Sequence, residues 1–185
     1  MSFDAAGAYL DEVRRNFRGY QRLGEGALAQ LRDEELFTAI DPEANSVAVI
    51  AKHMAGNMRS RWTDFLTTDG EKPDRHRDRE FEMMPGLTRA EVMDWWEKGW
   101  ALVFQALEPL KPDDLGRTVF IRGQEHTVLQ AINRQMAHYA YHVGQVVLLA
   151  KHACGAEWKS LSIPKGQSET YGRQAELDHR RRQQP

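Results

Sequence analysis

Two histidines, His138 and His142, stand four residues apart within Gln135-Met136-Ala137-His138-Tyr139-Ala140-Tyr141-His142-Val143-Gly144-Gln145. If that segment is helical, positions i and i+4 share a face one turn apart, and the two imidazoles can converge on a single cation. Two ligands are too few for a catalytic site of the zinc type, which uses three. His53 is the best third candidate, because it stands roughly 60° from Ile50 around a second apolar helix. Asn57, one turn beyond His53, is placed to orient a ligand or a bound water. Gln135, Tyr139 and Tyr141 are further candidates for groups that support the ligands. Three neutral imidazoles leave a bound ion its full +2 charge, which lowers the pKa of a water or thiol bound to it. Nitrogen ligands suit zinc, nickel, copper and iron alike.

A plainer reading uses the same residues. Helices carry histidine pairs on solvated faces, and a histidine at a core edge can simply be a hydrogen-bonded core residue. Two other metal chemistries lack their motifs here. The fourth helix has no inward-facing Glu-x-x-His pair of the di-iron kind, and the chain contains no His-Glu-x-x-His. His76 lies between Arg75 and Arg77 and reads as solvated. His126 reads as part of a hairpin, and His152 suits a helix C-terminus. Cys154, the one cysteine, has no base at helical spacing and reads as structural.

Four long helices must position these groups. The first is expected over 2–31, with a bend or break near Gly24. The second, over 46–67, is capped by Asn45 or Ser46 and carries Val47, Ile50, Met54, Met58 and Trp62 at helical spacing. A polar segment, 69–86, forms a long loop over one end and is a candidate cover for the site. The third helix opens on the capping box Thr88/Glu91 and stops before Pro109. A short hairpin follows, Thr118–Ile121 with Glu125–Thr127. The fourth helix opens on a second box, Thr127/Gln130, runs to about 152 and meets a stop at Gly155. Trp95, Trp96 and Trp100 of the third helix read as core rather than as a partner surface. Residues 161–165 are expected to pack as a strap. The expectation is an all-α four-helix bundle with a small β-hairpin, one domain over 1–165, and a polar, disordered tail over 166–185.

Composition agrees with a globular domain: 185 residues, 41% hydrophobic and 28% charged, with a formal net charge of −2. No overall basic field draws the chain to nucleic acid or a membrane surface. Arg180-Arg181-Arg182 reads as a solvated tail. The segment Met1-Ser2-Phe3-Asp4 has no basic n-region or apolar core, and no apolar run reaches membrane-spanning length. A cytoplasmic protein is expected.

The motifs around His53 (Ile50-Ala51-Lys52-His53-Met54-Ala55-Gly56-Asn57) and around His138 and His142 resemble those of the DinB/YfiT-like superfamily of metal-dependent bundle proteins. The resemblance covers most of residues 5–165, and the stretch from Ile121 to Lys151 most resembles an uncharacterised bacterial subgroup. It implies an up-down-down-up bundle, often a homodimer, with His53, His138 and His142 binding zinc or nickel and water in the open positions. It also implies a metal-dependent enzyme, a thiol-dependent transferase or a hydrolase, acting with a low-molecular-weight thiol or another small molecule. The alternative is a non-catalytic, metal-stabilised binding or stress-response protein.

Overall fold

The computed structural model describes residues 3–182. Among them the chain forms six α-helices and one antiparallel hairpin: α1 (Ala5–Leu28), α2 (Asp33–Phe37), α3 (Val47–Trp62), α4 (Arg89–Leu107), β1 (Thr118–Ile121), β2 (Gln124–Thr127), α5 (Val128–Cys154) and α6 (Ser168–Arg182). The long helices start where the local chemistry dictates. Ser46 Oγ accepts from Val49 N in α3, and reciprocal capping boxes open α4 at Thr88/Glu91 and α5 at Thr127/Gln130. Each box satisfies two N–H groups that the first turn leaves without partners.

Helix α3 packs along α4, and α1 along α5; α3 also meets α5, and α1 meets α4. One aromatic side chain from each long helix joins at the centre. Phe17 lies 5.8 Å from both Trp62 and Tyr139, and Trp100 lies 5.7 Å from Tyr139, in edge-on or tilted geometries that suit ring quadrupoles. Trp96 and Trp100 are fully buried, as their helical spacing predicts. Among the described residues no helix is long and apolar enough to cross a membrane.

Several boundaries differ from expectation. Helix α1 runs through Gly24 without a break, and the glycine serves packing instead. A Cβ there would sit 2.3 Å from Trp96 Cζ2, so only a bare backbone lets the indole approach. The short helix α2 was not anticipated. Helix α3 ends at Trp62, five residues early, because Thr63 is extended and Asp64 adopts φ 49°. Residues 168–182, where a disordered tail is expected, form α6, whose residues 168–174 are exposed. Leu161 packs against the core, and a Cβ at Gly26 would lie 2.8 Å from it.

The hairpin turns through Arg122 and Gly123, at φ 56° and 72°. Positive φ at both central residues matches the right-handed twist of the strands. Asp69 secures this turn from the preceding loop, accepting from Arg122 N at 2.9 Å and Gly123 N at 2.7 Å. The backbone bond from Gly70 N to Phe120 O (2.7 Å) continues the seam. The loop of residues 69–86 is thus tied down at its start, and its short 3-10 helix, Arg77–Phe81, lies against α3.

Candidate metal centre

His53 comes from the middle of α3, and His138 and His142 come from successive turns of α5. Their nearest nitrogens all lie within 4.8 Å of one another. His138 Nε2 is 3.4 Å from His53 Nε2 and 3.1 Å from His142 Nε2. His53 and His142 are buried.

The opposite edges of two rings are held from behind. His53 Nδ1 donates to Glu80 Oε2 at 2.8 Å, and His142 Nδ1 donates to Gln145 Oε1 at 2.8 Å. Those acceptors place the ring proton on Nδ1 and turn an Nε2 lone pair toward the centre. Burial, with the neighbouring imidazoles adding to it, lowers the pKa of His138 to about 3. Burial also takes His142 down to about 4, against the bond from Gln145. Both rings are neutral at pH 7 and need lose no proton to bind a cation. A single N–H on His138 could bridge only one neighbour, which leaves lone pairs facing each other. A cation resolves that conflict. Zinc–nitrogen bonds of 2.0–2.1 Å in tetrahedral array imply nitrogen separations of about 3.3 Å, close to the 3.4 and 3.1 Å that His138 Nε2 makes with His53 and His142. The donor set therefore fits a divalent ion.

Glu80 was not a candidate on sequence grounds, yet it organises one side of the centre. It is 7% exposed and also accepts from Arg75 Nε at 2.8 Å and Arg75 Nη2 at 2.9 Å. Burial alone would raise its pKa; the bonds from His53 and Arg75 outweigh that and hold it below the usual carboxylate range. Its approach to α3 requires Gly56, where a Cβ would come within 2.4 Å of Glu80 Oε1. Phe81, next in the chain, stacks on the His53 ring at 4.7 Å. The one available signal was a glycine three residues after His53, facing a loop whose charged run is interrupted by a single phenylalanine.

The other candidates separate. Asn57 is buried, and its Oδ1 accepts from the Tyr139 hydroxyl (3.0 Å), which accepts in turn from Trp62 Nε1 (2.9 Å). Tyr139 therefore sits behind Asn57 in the core, its pKa raised by burial. Tyr141 is exposed, and its hydroxyl accepts from Gln145 Nε2 at 3.1 Å. It reaches the centre only through Gln145 and His142. Gln135 is 4% exposed, and its Oε1 has no hydrogen-bond partner. His126 bonds the Gln124 carbonyl in the hairpin.

His53 and His138 open on a cavity of about 610 Å³ whose wall also includes Asn57, Gln135 and five arginines. A larger groove, about 790 Å³, lies between α3 and α4. It shares Arg75 with the smaller cavity and is also lined by Glu80, but it includes none of the three histidines, so the chemistry belongs to the smaller cavity.

No curated protein matches the chain. The model of a family described as "Protein of unknown function (DUF1572)" matches residues 4–167. That span contains α1 through α5, the loop carrying Glu80 and all three histidines, and the chain belongs to this family.

Proposed function

We propose that this protein binds one divalent metal ion, zinc or nickel, through Nε2 of His53, His138 and His142. We further propose that it is a metal-dependent enzyme of the thiol-dependent transferase or hydrolase type, built on an up-down-down-up four-helix bundle like those of the DinB/YfiT-like superfamily. The observation that carries the reading is the convergence of three imidazole nitrogens, two with their outer nitrogens held by Glu80 and Gln145. A histidine that merely fills a core has no need of that arrangement. When bound, the ion supplies Lewis-acid chemistry, lowering the pKa of a water or thiol and polarising an electrophile. Glu80 and Phe81 fix the His53 ring, and Gln145, steadied by Tyr141, fixes that of His142. Asn57 and Gln135 line the cavity and orient what enters it.

The test is metal content. Purified chain should hold one ion, and His142→Ala and His138→Ala should each lose it. Wild-type protein that stays metal-free in micromolar zinc and nickel overturns the proposal. Turnover of thiol–electrophile pairs with and without chelator then tests catalysis. A metal-loaded chain inert across a broad panel is a metal-stabilised binding protein instead.

A further inference from the structure

We propose that the cavity beside the three histidines binds a small anion, a molecule bearing a carboxylate or a phosphate, with Arg77 and Arg134 as its principal cationic contacts. The inference deepens the metal-site reading and rests on it only for calling this molecule the substrate. Five guanidinium groups line the cavity: Arg61, Arg75, Arg77, Arg122 and Arg134. Three are committed within the fold. Arg61, Arg75 and Arg122 all pair with Glu71, Arg61 also donates to the Gly70 carbonyl, and Arg75 also pairs with Glu80.

The other two are not. Among the described residues Arg77 pairs only with Asp78, at 3.8 Å and 97% exposed, while its guanidinium lies over the Phe81 ring at 5.0 Å. Arg134 has no ion pair among the described residues and is exposed on α5, one turn before His138. Against the five cations stand Glu71, Glu80, Asp69 and Asp78, which leaves one positive charge in excess before any metal adds its own. Wild-type folding gains nothing from such self-repulsion, and a walled cleft focuses the resulting field on whatever enters.

A second observation points the same way. Arg61 is 5% exposed and lines the cavity, yet its Nε has no hydrogen-bond partner. Buried polar atoms seldom lack partners, and an anion oxygen in the cavity is a group that could accept from this N–H. Guanidinium groups pair with carboxylate and phosphate oxygens through parallel hydrogen bonds, so an anion suits this wall better than a neutral polar molecule.

Calorimetric titration of the full chain tests this, in metal-loaded and metal-stripped forms, with succinate, phenyl phosphate and uncharged succinamide as probes. At least one anion should bind both forms with a Kd below about 1 mM, and succinamide should not. Arg77→Gln/Arg134→Gln, at exposed positions that leave the core intact, should weaken anion binding by about 10- to 100-fold. The ratio of succinate to phenyl phosphate affinity assigns the anion class. The proposal is overturned if neither anion binds better than succinamide, or if the double variant binds them as wild type does. Metal content of the same samples separates the two readings. A chain that takes up no metal but selects anions loses the metal site and keeps this one; a metal-loaded chain indifferent to charge does the reverse.

Discussion

Gly56→Ala tests the least expected part of the centre with the smallest possible change. The new Cβ would lie 2.4 Å from Glu80 Oε1 and 2.7 Å from its Cδ, whereas ordinary contact begins near 3.4 Å. The carboxylate must retreat by about 1 Å as a rigid unit, which takes its 2.8 Å bonds out of hydrogen-bond range. Losing one such charged bond costs about 1.5–3 kcal/mol. Alanine in a helix interior returns about 1 kcal/mol. The net is a destabilisation of about 0.5–2 kcal/mol, or a fall in Tm of about 1–8 °C for a chain of this size. A larger effect is expected on metal, since outer partners of ligating histidines are worth about 10–100-fold in affinity. Competition titration against a chromogenic chelator reads that affinity, and a thermal melt of the metal-free chain reads the rest. Glu80→Gln, which keeps the shape but removes the charge, should weaken metal binding in the same direction. If Gly56→Ala melts higher than wild type and binds zinc equally well, Glu80 is not what positions His53.

Three further outcomes follow from packing and hydrogen bonding. Asp69→Asn should cost about 1–2 kcal/mol, because an amide cannot accept from the backbone N–H groups of Glu71, Arg122 and Gly123 together. Burial works to raise the Asp69 pKa, but these bonds lower it overall; the contribution is therefore present above the unfolded value of about 3.9 and lost as pH falls through the folded one. Urea denaturation should show the wild-type advantage shrinking as pH falls below about 4 and disappearing only below the folded value; a gap that does not narrow on acidification refutes the assignment. Tyr139→Phe strands Trp62 Nε1 and Asn57 Oδ1 in the core and should cost about 1–3 kcal/mol with metal stoichiometry unchanged. Gly24→Ala should destabilise by about 1–3 kcal/mol through overpacking on Trp96; a rise in Tm would show that the indole moves aside freely.

The parts of this molecule legible in the sequence are those governed by near neighbours. Thr88/Glu91, Thr127/Gln130 and Ser46 cap the helices they were read to cap, because a cap is a contact across three residues. His138 and His142 meet for the same reason. The link to His53 spans 85 residues, and helical spacing could place it only at the edge of a stripe; the resemblance supplied the rest. Glu80 and Arg75 were missed because the loop that carries them has no periodicity, and its charges read as solvated. The docking of that loop is decided by Gly56, which admits Glu80, and by the Asp69 staple, both of them long-range contacts. Gly24 was read as a bend because glycine weakens an isolated helix, and nothing local announces an indole arriving from another helix.

The same 85-residue separation has a consequence for the lifetime of the folded chain. His53 and His138 sit at the two ends of a segment that holds the 69–86 loop, α4 and the hairpin. An ion held by both would act as a reversible cross-link, closing a loop whose entropy in the unfolded chain is worth about 4 kcal/mol. Metal supply would then set how quickly proteases clear this protein, whatever reaction it performs, and chelation would shorten its survival before any substrate is offered.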